Sequence, residues 1–94
     1  MAKLNARGRT KVAQISKITP LMGADHDRKV RHERVLMSDG VVLKKVNFLK
    51  PNGTIDHGTG WSVSARTKPG VDVREFAPRW VAANIANGWQ EVTI

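Results

Sequence analysis

Five side chains able to ligate a metal or move protons fall within nine residues: Asp25, His26, Asp27, His32 and Glu33. Two imidazoles and three carboxylates are enough ligand types for a divalent cation. Their spacing matches no metal-ligand pattern, however, and Arg28, Lys29, Arg31 and Arg34 lie among them. A cation entering there would meet four like charges, so the run is read as a polar loop rather than a metal site. His57 follows Asp56 in a glycine-rich turn and reads as a solvent-facing loop residue rather than a general base. Ser38, Ser62 and Ser64 stand in no glycine-serine elbow and have no evident base with an orienting partner. Thr54–Gly60 lacks the lysine and the spacing of a phosphate-binding loop. With no cysteine there is no thiolate nucleophile, no disulfide and no cysteine-type zinc site. The expectation is a protein without catalytic residues and without a cofactor.

What remains is cationic chemistry. Sixteen Lys and Arg oppose eight Asp and Glu in 94 residues, a net charge of +8 that favours an anionic partner. The excess is N-terminal: residues 1–35 hold nine cationic and three acidic side chains, whereas residues 69–94 hold two and three. Arg7-Gly8-Arg9 resembles the core of an AT-hook, in which two arginines lie along a narrow minor groove and glycine lets the backbone approach. Thr10 stands where that pattern continues with proline. The arm therefore has three readings: a hook, a general phosphate-contacting segment, or a solvated terminus. Arg28, Lys29, Arg31 and Arg34 form a second cluster, with Lys44 and Lys45 brought near by pairing. They read equally as phosphate contacts or as a charged rim that protects a sheet edge.

The candidate binding residues are thus Lys3, Arg7, Arg9, Lys11, Arg28, Lys29, Arg31 and Arg34. Their expected partner is the backbone of duplex DNA, with RNA as a second polymer that the same contacts serve. An acidic surface on a host protein is the alternative, steered by the same charge. A third reading is an assembly component that oligomerises through a sheet edge. Phe48 and Trp61 are the only aromatic residues outside the C-terminal segment, which weighs against single-stranded nucleic acid.

The elements that must position these groups follow from periodicity. Thr10–Thr19 is rich in β-branched residues and reads as a strand, with helix as the alternative, and Pro20 ends it. Gly23–Lys29 is a polar loop. Arg31–Lys50 reads as a hairpin turning at Asp39-Gly40, which sets Leu36 against Leu43 and Met37 against Val42 and sends Lys44 and Lys45 to opposite faces. Pro51-Asn52-Gly53 is a second turn, and Trp61, Val63 and Ala65 alternate with polar residues as in a half-buried strand. Asp72 and Glu75 mark a helix start. Val73, Phe76, Ala77, Trp80, Val81 and Ile85 share one helical face and Asn87-Gly88 supplies the stop. Pro78 lies off that stripe and predicts a kink rather than two helices. Trp80 and Trp89 read as core, and Trp89–Ile94 as a short returning strand.

Met1-Ala2-Lys3-Leu4-Asn5-Ala6-Arg7-Gly8-Arg9, then Leu36-Met37-Ser38-Asp39-Gly40, then Gly60-Trp61 ahead of a terminal amphipathic helix resemble small uncharacterised proteins of bacteriophages and prophages. The resemblance implies an accessory phage protein acting in the host cytoplasm; it carries no activity and no site residues. The fold expected from the residues is α+β: an antiparallel sheet of about four to five strands with one C-terminal amphipathic helix on one face, the other face polar and basic. Residues 1–9 form a basic arm and residues 10–94 one compact domain. No apolar stretch approaches the roughly 20 residues that span a bilayer, and the polar start lacks the apolar region of a secretory signal, so a soluble cytoplasmic protein is expected.

Overall fold

The computed structural model describes residues 9–20 and 28–94. Its elements are β1 (Lys11–Pro20), β2 (Lys29–Met37), β3 (Val41–Leu49), β4 (Ile55–Gly58), β5 (Ser62–Arg66), α1 (Val73–Ile85) and β6 (Gln90–Val92). All pairings are antiparallel. The strands lie in the order β4-β3-β2-β1-β6, and β5 pairs with the other half of β3. The described residues therefore form an α+β fold, with six strands and, among those residues, one helix towards the C-terminus.

Thr10–Thr19 is strand rather than helix, as its β-branched residues favour. The β2–β3 hairpin forms, but one residue out of the expected register: Val35 pairs with Leu43 and Leu36 with Val42. The turn uses three residues, Ser38-Asp39-Gly40, not two. Gly40 sits at φ 86° and donates to the Met37 carbonyl at 2.9 Å, the arrangement of a turn closed by a glycine bulge. A side chain at Gly40 would also collide with the Thr67 hydroxyl. Lys44 and Lys45 do diverge, because they pair with Arg34 and Glu33 respectively.

The register sorts side chains onto two faces. Ala13, Ile15, Leu36 and Val42 form one buried cluster with Ala77 and Val81 of α1, and Val73, Phe76, Trp80 and Trp89 pack against it. This is the helix face. Val35, Met37, Val41 and Leu43 form a second buried cluster on the opposite face, with Trp61 against it. The opposite face is accordingly not polar and basic throughout, as the sequence suggested; beside the hairpin turn it is as apolar as the helix face. The one-residue change of register explains this. It places Val35 and Leu43 side by side, with Met37 and Val41 next along the same face.

α1 starts at Asp72, whose carboxylate accepts from the backbone N–H of Arg74 at 3.0 Å and of Glu75 at 3.3 Å. It passes through Pro78 as one helix of 13 residues, and Pro78 is exposed. At its end Gly88, at φ 92°, donates to the Ile85 carbonyl and Trp89 donates to that of Asn84, a glycine-terminated stop that turns the chain back into β6. Val73 lies beside Gly40, and the Lys17 ammonium donates to the Asn87 carbonyl at 2.9 Å. The helix thus runs along β1 from the hairpin turn to Lys17. Among the described residues it covers β1 and, through Leu36 and Val42, the turn-side ends of β2 and β3, and reaches less over their far ends and β4.

Two expectations fail in the β4–β5 region. The stretch around His57, read as a glycine-rich turn, contains β4, which pairs with β3 through Leu49 opposite Ile55 and Phe48 opposite His57. The strand after Trp61 is not half-buried: all five residues of β5 are exposed. A bulge between its pairings to Val42 and Leu43 breaks the alternation, so Val63 and Ala65 do not share a face.

Candidate nucleic-acid interface

Lys3 and Arg7 lie outside the described residues, as do Asp25, His26 and Asp27. The other six candidate cations do not form one patch. Arg9 is 3.0 Å from the Asp39 carboxylate at the hairpin turn. Arg28 donates to the Leu49 carbonyl and forms an ion pair with Asp56. The Arg28 guanidinium holds the Asp56 carboxyl below its ordinary range. Lys11 is exposed at the start of β1. Lys29 and Arg31 occupy alternate β2 positions on the opposite face, whereas Arg34 emerges on the helix face. A run that is compact in sequence is split by the two-residue period of its strand.

What Arg34 meets on the helix face was not visible in the sequence. Its guanidinium lies over the Trp89 ring, 4.9 Å from the centroid, a stacking worth about 0.5–2 kcal/mol depending on solvation. The register sets Arg34 between Ile15 and Lys44, and Lys44 is exposed. One row along, His32 pairs with Lys17 and Val46. The His32 ring meets Trp89 edge-on at 6.5 Å, and Thr19 Oγ1 lies 3.1 Å from its Nε2. Burial, with Arg34 and then Lys17 nearby, pushes the His32 pKa below its ordinary value. In the next row Phe48 stacks on His57 with centroids 4.8 Å apart and planes 20° apart. His57, expected as a plain loop residue, is a strand residue whose side chain remains 67% exposed on top of Phe48.

This part of the helix face is therefore cationic and aromatic together. Among the described residues, the strand positions that the register assigns to the helix face include one carboxylate, Glu91, and the Asp56 carboxylate comes within 3.6 Å of His57 Nδ1. Glu91 pairs with Ile15, two strands from Arg34, and borders the groove beside α1. That groove, about 460 Å³, is walled mainly by apolar groups such as Val12, Ala77, Pro78 and Val81. It brings no set of polar groups together for chemistry.

The opposite face is arranged differently. Glu33 accepts from the Gln14 amide at 3.2 Å and from the Asn47 amide, both of which are buried. Lys45 is the cross-strand partner of Glu33 and leans over Trp61, 4.9 Å from the ring centroid. His32 and Glu33, adjacent in the metal-ligand-like run, point to opposite faces and cannot share an ion. Among the described residues no three His, Asp or Glu side chains gather as a metal set. No helix among them is long and apolar enough to cross a membrane.

Compared with known proteins, the chain matches no family model, no curated protein and no solved structure.

Proposed function

We propose that this is a small non-enzymatic nucleic-acid-binding protein that grips the phosphate backbone with low sequence specificity. Its resemblance to phage-encoded proteins suggests an accessory factor acting in a host cytoplasm. The observation that carries the reading is the placement of Arg34 beside Lys44 on the helix face, with no carboxylate among the described residues opposite either. Phosphate is the chemistry such a pair suits, because guanidinium and ammonium donors release condensed counterions as they neutralise it. Lys17 borders the same area, though its ammonium also caps the carbonyl end of α1. Lys3 and Arg7 add charge from the arm.

The test is a salt-titrated binding assay on AT-rich duplex, GC-rich duplex, single-stranded DNA and heparin. Affinity for nucleic acid should fall linearly with the logarithm of salt concentration. Arg34→Ala with Lys44→Ala should reduce the slope by about 1.4 to 1.8, two contacts' worth, while Lys29→Ala with Arg31→Ala leaves it nearly unchanged. Equal weak binding to all four polymers, indifferent to either pair, would defeat the reading and favour an acidic protein surface as partner.

A further inference from the structure

Building on that nucleic-acid reading, we infer that the helix face around Arg34, Lys44 and His57 binds single-stranded rather than duplex nucleic acid, with bases stacked on the exposed His57 ring and at the half-buried Trp89. Two features make the argument. First, cations and aromatic rings share this face. Trp89 precedes β6, with Arg34 on its ring, and His57 lies in β4, backed by Phe48. The Trp89 ring reaches over β2, where it meets both Arg34 and His32. Arg34 and Lys44 are cross-strand neighbours two rows along from Phe48 and His57, about 14 Å at about 3.4 Å per residue. Phosphate donors that share a face with rings are what an unpaired strand offers contacts to, since its bases can turn out and stack while its backbone is neutralised. In a duplex those base faces are hidden and such rings gain nothing.

Second, the rings are held ready. His57 is 67% exposed, yet Phe48 fixes its plane from below, so a base meets a pre-oriented surface. The glycine-terminated end of α1 fixes the backbone of Trp89 through its bond to Asn84. A ring that is already immobile loses little entropy when a base stacks on it. The charge fits the same partner: a net +8 with no carboxylate between Arg34 and Lys44 complements a polyanion.

The probes are a fluorescein-labelled 12-mer of deoxythymidine, the same length of abasic backbone, and a 12-base-pair duplex, each titrated with the full chain at fixed salt. The thymidine strand should bind about tenfold or more tightly than either control. His57→Ala should remove about tenfold of that advantage while leaving the abasic affinity unchanged. Trp89→Ala should act in the same sense. Because Trp89 also touches the core, His57→Ala decides the matter if that variant does not fold. Equal affinity for thymidine and abasic strands overturns the stacking inference while phosphate binding stands. Tighter binding to the duplex overturns it too, and failure of all three probes removes both readings.

Discussion

On the helix face Arg34 lies flat on Trp89 and stands beside Lys44; on the opposite face Lys45 lies on Trp61 but stands beside Glu33. Each face thus has a cation on a tryptophan, and only one has a carboxylate next to it. Gln14 and Asn47 hold that carboxylate with two amides that the sheet buries. Net charge alone therefore does not locate an interface. The neighbour that the strand register assigns to each cation decides whether its field reaches a ligand or closes on a fixed internal partner.

The largest expected effects test whether the faces are equal where both are apolar. Leu36 on the helix face and Met37 on the opposite face are each fully buried. Truncating either to alanine should cost about 2–5 kcal/mol in urea denaturation, through lost transfer energy and the cavity left behind. A Met37→Ala protein as stable as the parent would show that only the helix face forms a core.

Glu33→Ala comes next. It leaves the Gln14 and Asn47 amides without their acceptor, and the penalty for such orphaned buried groups is about 1–3 kcal/mol. Its binding outcome sharpens the contrast. If the helix face is the interface, single-strand affinity stays within about twofold of the parent; a rise of tenfold would place the interface around Lys45 and Arg31 instead. Swapping Arg34 for lysine is subtler still. The charge survives, but the planar stack on Trp89 does not, so affinity should drop by severalfold with the salt slope unchanged. An unaltered affinity would mean the stacked geometry is incidental.

The sequence made local structure legible where the signal was itself local. The β-branched run of β1, the Asp72 cap, the stop at Gly88 and the apolar stripe of α1 all depend on residues within a few positions of one another. The hairpin was legible as a hairpin, but its register was not. Asp39-Gly40 suits a two-residue turn as well as the last two positions of a three-residue one, and the difference moves every cross-strand neighbour by one residue. β4 was hidden because Thr54–Gly60 is too rich in glycine and too short to alternate; it is strand because β3 offers it a partner. The candidate site depended on such long-range pairing. Arg34 and Trp89 are 55 positions apart, and nothing near either residue points to the other. Arg28 and Arg34, neighbours in sequence, were grouped by charge, yet one is tied to Asp56 and the other faces Trp89.

The smallest expected effect concerns His32, whose ring shares the helix face with Arg34 and Lys17 and meets no carboxylate there among the described residues. Burial first, then those two cations, lower its folded-state pKa below the ordinary value of 6.5. The unfolded chain therefore binds the proton more readily than the folded one. Above pH 6.5 both states hold a neutral ring and nothing is lost. As pH falls through 6.5 towards the lowered value the unfolded state takes up the proton first, and stability declines. Urea midpoints measured from pH 8 to pH 5 should therefore fall on the acid side for the parent chain, and fall less for His32→Gln, which keeps a polar group near Thr19 without a titrating ring. Parallel curves for the two proteins would mean that neither burial nor the neighbouring cations shift the titration of His32. The contrast between Arg34 and Lys44, which face no carboxylate among the described residues, and Lys45, which faces Glu33, would then rest on strand register alone.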